Sequence, residues 1–270
     1  MTGEPTAPPP AIPLRTPLKR TFPFSLACPS FIYRAGYAEN VRCLAPFVDE
    51  VELLFFESRF ADSLPSPALI GELEALGQEG DVAYNVHLPT DIFPGHRESA
   101  EHRRAVTVLR EMVRRCMPLA PTTFTLHLNR DPSEPDDRRW QERCIAAVET
   151  VVADGLPGRR ISVENIDYDF AKAVPVVEAL DLSMCMDMGH LMVRNEPLAA
   201  FHARWRERIT IVHLHGVDGN RDHLPLDRLA PDRLQTALAL LHGFRGTLSL
   251  EVFSREALDA SLARMAEAGC

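Results

Sequence analysis

Histidine, aspartate and glutamate recur in this chain at one kind of place, directly behind a short apolar run. Glu57 closes VELLFFES, His87 closes AYNVHLP and His127 sits in FTLHLN. Glu164 follows ISV, Asp187 and His190 lie in CMDMGH, His213 and His215 in IVHLHG, and Glu251 in LSLEV. Imidazole nitrogen and carboxylate oxygen are ligands for borderline and hard divalent cations. The chain has 10 histidines in 270 residues, yet three apolar runs end in histidine and a fourth is followed by one. A carboxylate at the end of an apolar strand costs several kcal/mol to bury unless it is paired, and a divalent cation compensates several at once. A polynuclear metal site is the economical expectation.

Spacing adds to this. His213 and His215 stand i, i+2 and share one side of a strand, while the D-M-G-H turn lets Asp187 and His190 converge. The run Gly219 to Leu224 places Asp222 and His223 in a later loop. Neighbours in an extended segment point opposite ways, so their joint ligation stays open. Glu57 has a bland reading as a hydrogen-bonded carboxylate, and His96, His102, His202 and His242 fall in helical stretches where packing or surface roles are expected. Met184, Met186, Met188, Trp140 and Trp205 read as packing residues.

The absences narrow the chemistry. Only two lysines occur, Lys19 and Lys172, and neither ends a strand, which disfavours Schiff-base aldolase chemistry. Arginine carries the remaining positive charge, and Arg34, Arg59, Arg130, Arg194 and Arg221 lie near strand-end loops where a guanidinium could clamp phosphate. A net charge of −9 opposes sequence-blind binding of nucleic acid. Six dispersed cysteines without a C-x-x-C pair fit neither a thiolate zinc site nor a disulfide framework, and no apolar run reaches membrane-spanning length. Reduced thiols and a cytoplasmic location are expected.

The elements that must position these groups follow from periodicity. Seven of the first 23 residues are proline, so residues 1–21 are expected as a flexible or surface-hugging tail and 22–270 as the folded domain. Eight short apolar runs read as buried parallel strands: 24–28, 51–56, 82–86, 124–128, 161–163, 182–186, 209–214 and 248–252. Eight stretches of helical spacing alternate with them: 38–47, 67–79, 100–117, 137–153, 171–180, 197–206, 226–241 and 256–266. With no G-x-G-x-x-G or Walker loop, the alternation predicts one α/β domain, a (β/α)8 TIM barrel of about the usual 250 residues with its functional face at the strand C-termini.

The ordered strings H-L-P, H-L-N, V-E-N, D-M-G-H, V-H-L-H-G, R-D-H and L-E-V-F resemble the xylose-isomerase-like barrels, which include the type IV apurinic endonucleases, over nearly everything after Phe22. By that resemblance Glu164, Asp187, His213 and Glu251 match the superfamily's metal quartet, and His87, His127 and His190 the extra ligands of the endonuclease branch. Asp222 and His223 would be that branch's loop pair, although the branch separates the two by one residue. More closely, Cys28 to Tyr33, Val41 to Pro46, Val51 to Ser58, Val86 to Pro89, Asp222 to Leu226 and Gly243 to Gly246 are similar to the cobamide-remodelling phosphodiesterases.

The resemblance implies a metal-dependent phosphodiesterase that hydrolyses the nucleotide loop of cobamides such as cobalamin, releasing an α-ribazole-type nucleoside and leaving a corrinoid phosphate. Two or three Mn²⁺, Zn²⁺ or Fe²⁺ ions would be held by His87, His127, Glu164, Asp187, His190, His213, Asp222, His223 and Glu251. Glu164 and Glu251 are the expected catalytic carboxylates, Glu164 bridging and partnering the attacking water, while His215, Glu57, Arg34 and Arg221 are expected to contact substrate. The alternatives are an endonuclease-like repair nuclease, a sugar isomerase or epimerase of the same superfamily, and a metal-free corrinoid or sugar-phosphate binder.

Overall fold

A computed structural model describes residues 13–60 and 63–268. Eight parallel strands close into a barrel: β1 (Ser25–Pro29), β2 (Glu50–Leu54), β3 (Ala83–His87), β4 (Phe124–Leu126), β5 (Ile161–Glu164), β6 (Ser183–Asp187), β7 (Ile209–Leu214) and, last in the chain, β10 (Thr247–Leu250). Around them run α1 (Tyr37–Leu44), α2 (Pro67–Gly80), α3 (Ser99–Cys116), α4 (Asp137–Ala153), α5 (Val174–Ala179), α6 (Met188–Val193), α7 (Leu198–Trp205), α8 (Pro231–Leu240) and α9 (Arg255–Ala268). The expected TIM barrel is therefore present, with every strand where its apolar run lies. Between β7 and α8 the chain adds an antiparallel ribbon, β8 (Gly216–Asp218) and β9 (Arg221–Leu224), and α6 and this ribbon are the elements the periodicity did not predict.

Local chemistry sets the helix boundaries. Ser66 accepts the Leu69 N–H ahead of Pro67, and Asp136 accepts from the N–H groups of Arg138 and Arg139, so α2 and α4 start where expected. The first helix stops at Leu44 rather than Phe47 because Pro46 cannot continue it. The expected helix over 226–241 becomes a 3-10 turn at Leu226–Arg228 and an α-helix only from Pro231, since a residue before proline is held out of the helical region and Ala230 has ψ 139°. Asp187 ends β6 and caps α6, its Oδ1 accepting the His190 N–H at 2.6 Å.

Residues 1–12 of the expected tail lie outside the described residues. Residues 13–23 pack along the closed end of the barrel, with Leu14 and Leu18 in the core, the Leu18 N–H donating to Phe47 O at 3.0 Å and Lys19 Nζ to Ala45 O at 3.1 Å. Inside that end the barrel is polar. Glu50 accepts from Asn85 at 2.7 Å and Thr247 at 2.9 Å, and Thr123, Ser162 and Thr210 form a hydroxyl chain at 2.6 and 2.7 Å. Burial pushes the Glu50 carboxyl above its ordinary range against the pull of those donors, which suits a structural floor. No helix among the described residues is long and apolar enough to cross a membrane.

Candidate metal centre at the barrel mouth

Register brings the strand ends to one level. Asp187 pairs with His213 across β6 and β7, and Glu164 with Cys185 across β5 and β6. Around the His213 Nδ1 atom stand Glu251 Oε2 at 3.1 Å, Glu164 Oε1 at 3.6 Å and Asp187 Oδ2 at 3.9 Å. All four residues are buried, and His213 Nδ1 and Glu251 Oε2 have no hydrogen-bond partner. Buried polar atoms left unpaired at one point are what a cation site requires. Glu164 Oε2 turns to a second group, 3.2 Å from His87 Nε2 and 3.0 Å from His127 Nε2. His87 donates its Nδ1–H to Leu88 O at 2.9 Å, which leaves Nε2 free to coordinate.

A third group shares Asp187. His190 Nδ1 lies 3.5 Å from Asp187 Oδ2 and from Glu164 Oε1, while His223 Nε2 lies 3.3 Å from Glu251 Oε2. Asp222 reaches the same place, 3.8 Å from His190 Nε2. The neighbours Asp222 and His223 both face the site because His223 is left-handed (φ 51°), which breaks strand alternation at that residue. The structure thus brings eight of the nine expected ligands into converging donor groups, with His215 beside Asp187, His190 and His223, while Asp222 stands at the edge, 3.0 Å from His223 Nδ1. The donors are nitrogen and carboxylate oxygen, which fits divalent cations of the Mn²⁺, Fe²⁺ and Zn²⁺ kind. The Cys185 thiol also approaches Glu164 and His213, but burial pushes its pKa well above the ordinary value and keeps it protonated.

The four residues expected to contact substrate behave differently. His215 is fully buried and both of its ring nitrogens are engaged: Nδ1 accepts the His223 N–H at 2.9 Å and Nε2 faces Asp187 at 3.3 Å. A neutral ring accepting at Nδ1 carries its proton on Nε2, so His215 holds Asp187 and offers substrate no atom. Gly189 makes this possible, since a Cβ there would sit 1.9 Å from His215 Cε1. Glu57 is exposed and apart from the convergent groups, and Arg221 pairs with Asp218 at 2.9 Å on the exposed ribbon turn. Arg34 is exposed and lines a cavity at the mouth, between the loops that follow β1 and β10.

Glu52 is the residue that strand-end reasoning missed. It is fully buried in β2, accepts from Ser249 Oγ at 2.5 Å and lies 3.1 Å from His213 Nε2, the ring atom turned away from the quartet. A carboxylate behind a ligating histidine orients it and raises its basicity. The signal was available: Glu50 and Glu52 stand i, i+2 in an otherwise apolar strand.

Electrostatics follow from this packing. Burial pushes the Glu164 carboxyl up, but His127 and His213 outweigh it and hold the pKa well below the usual range. Glu251 is held down in the same way, against burial, by His213 and His223. Burial lowers His223, and Glu251 and Asp222 more than reverse this, raising it to about 9. His87 and His190 are also raised, against burial, His87 chiefly by Glu164 and His190 by Asp187 and Glu164.

A family model described as the xylose isomerase-like TIM barrel matches residues 48–268. The chain belongs to this family. Similar solved structures include a D-tagatose 3-epimerase-like protein, 17% identical over 91% of this chain and 97% of that one, with a TM-score of 0.76. A D-allulose 3-epimerase from Methylomonas sp. is 13% identical over 96% of this chain and 100% of that one, with a TM-score of 0.71. An AP endonuclease, family 2, from Brucella melitensis is 16% identical over 90% and 98%, with a TM-score of 0.65. At these identities the likeness shows the fold alone. No curated protein matches the sequence.

Proposed function

We propose that this barrel is a polynuclear metal-dependent phosphodiester hydrolase. The observation that carries the reading is that potential ligands do not stop at the quartet of Glu164, Asp187, His213 and Glu251. His87 and His127 continue the site through Glu164, and His190, Asp222 and His223 continue it through Asp187 and Glu251. Divalent cations held there would supply Lewis acidity and offset charge on a phosphoryl group. Glu164 and Glu251 are held ionised by their histidine neighbours, which suits them to hold cations, and Glu164 would orient the attacking water by accepting its hydrogen bond. The water oxygen adds to phosphorus, one P–O ester bond breaks, and the proton lost by the water ends on the departing alkoxide. Lys19 is tied to backbone carbonyls at the far end of the barrel and Lys172 pairs with Asp137 at 3.1 Å, so neither lysine competes as a nucleophile in the site.

The substrate implied by the sequence resemblance is a cobamide, cleaved in its nucleotide loop. The test is mass spectrometry of products after incubation of a cobamide with protein loaded separately with Mn²⁺, Zn²⁺ or Fe²⁺, beside a chelated control. Metal-dependent release of the nucleoside with phosphate retained on the corrinoid is expected. Intact cobamide under all conditions overturns the substrate, and failure with simple aryl phosphodiesters as well overturns the reaction class.

The second reading is sugar epimerisation. It is favoured by the names of most of the similar structures and by the quartet itself, in which two glutamates flank one metal position. Deuterium uptake from D₂O into a ketose, without phosphoester cleavage, would establish it. A repair nuclease is disfavoured by the net charge of −9, because non-specific DNA affinity comes from neutralised phosphates.

A further inference from the structure

The mouth of the barrel carries an apolar feature that metal chemistry does not use. Among the described residues the large exposed hydrophobic side chains are Phe31, Phe56, Phe60, Met117 and Phe253. Three of them are in ring contact. Phe253 and Phe56 have centroids 6.0 Å apart, Phe56 and Phe31 5.0 Å apart, both edge to face. The series starts in the metal centre, since the Phe253 ring stacks on His223 at 5.2 Å and 28°. Phe31 and Phe253 also border a cavity of about 620 Å³ that Arg34 and Arg255 line. Phe31, Phe56 and Phe253 are 37%, 40% and 38% exposed as residues, so each presents surface at the mouth.

We propose that Phe253, Phe56 and Phe31 form a shelf that holds a large, flat, apolar group of the substrate while its phosphate sits at the adjoining metal centre. Continuity decides the occupant. A substrate anchored beside His223 and Glu251 has Phe253 as its next neighbour, and the row of rings leads from there to the open surface. Exposed phenyl surface recognises planar and apolar groups by area and ring geometry. The shelf rests on the phosphodiesterase reading only for the anchoring of the phosphate.

The test compares binding of 2-naphthyl phosphate and methyl phosphate to the metal-loaded protein by isothermal titration calorimetry. The native protein is expected to bind the naphthyl ester at least about tenfold more tightly. In Phe31→Ala and Phe56→Ala the ratio should fall below about threefold, whereas Phe56→Trp, which keeps a flat ring, should preserve it. Thermal melting of each variant shows whether it is folded. Equal affinity for the two esters in the native protein, or a preference that neither alanine variant reduces, overturns the shelf. Hydrolysis of bis(4-nitrophenyl) phosphate is followed separately. A naphthyl preference that maps to the phenylalanines without any hydrolysis keeps the shelf and removes the phosphodiesterase reading, and hydrolysis without the preference does the reverse.

Discussion

Glu164→Gln is the perturbation with the widest consequence, because this one carboxylate faces four imidazoles. Its Oε2 lies 3.2 Å from His87 and 3.0 Å from His127, and its Oε1 lies 3.5 Å from His190 and 3.6 Å from His213. The amide keeps the shape and removes the charge. With it gone, His87 and His127 are left as a two-nitrogen site, and at least one metal equivalent should be lost. Loss of a preorganised electrostatic contact of this kind costs about 3–4 kcal/mol at the transition state, so kcat should fall by about 10²–10³. The metal-free protein should suffer as well, because removing one partner of a buried ion pair costs about 3–5 kcal/mol. Metal content by mass spectrometry, kcat on an aryl phosphodiester and thermal melting measure the three effects. Glu164→Asp, which restores the charge one methylene shorter, separates loss of charge from loss of fold. Full metal content and near-native kcat in Glu164→Gln would refute the assignment.

Further outcomes follow from the same geometry. Saturating a metal at about 100 times its Kd should stabilise the fold by about 2.7 kcal/mol and raise Tm by roughly 5–10 °C, a gain that a chelator reverses. Ligation needs neutral imidazole, while His223 is raised to about 9 and His87 and His190 are raised too, so metal binding at pH 7 should release protons and tighten as pH rises towards 9. Calorimetry in buffers of different ionisation enthalpy measures this, and a buffer-independent heat contradicts it. Asp131 is buried and, against burial, is held down to about 2 by the Ser133 hydroxyl and the Arg97 and Ser133 N–H groups. A depressed carboxyl stabilises above its unfolded pKa near 3.8 and loses that stability as pH falls towards about 2, so Asp131→Asn should cost about 2 kcal/mol at pH 7 and flatten the acid limb of a denaturation curve between those values. Gly189→Ala drives a methyl into His215 and should cost about 1–3 kcal/mol, with weaker metal binding at the group that shares Asp187. An unchanged Tm and metal content would show that His215 moves aside freely.

The barrel was legible because each parallel strand is buried on both faces and therefore appears as an apolar run, as ISVE and SMCMD in β5 and β6 show. The convergence of the candidate groups at the barrel strand ends was legible because a barrel collects its strand ends on one face. What escaped lies where backbone geometry departs from the simple periods. Asp222 and His223 were expected ligands, but their joint approach as chain neighbours rests on a positive φ that no spacing rule contains. His215 shares a strand side with His213 yet lies behind Asp187, which only the close approach over Gly189 permits. Glu52 was hidden by attention to strand ends, and α6 by its six residues, too few to show a helical period. The phenylalanine shelf comes from the loops behind β1, β2 and β10, whose juxtaposition is a property of closure.

Charge arithmetic separates the two enzymatic readings. Four carboxylates face the centre, Glu164, Asp187, Asp222 and Glu251, with Glu52 behind His213, and the histidines around them must be neutral to ligate. One divalent cation would leave a formal charge of −2, which disfavours a phosphodiester anion more than an uncharged sugar. Two cations leave 0 and three leave +2, so a singly charged diester is accommodated with two or three. The number of metals bound per chain in the active protein is therefore a test of substrate class as well as of stoichiometry. Phosphodiester hydrolysis requires two or three, lost together with activity on chelation. A fully active protein holding one metal per chain, with His87, His127 and His190 replaceable by alanine without loss, would assign the site to sugar chemistry.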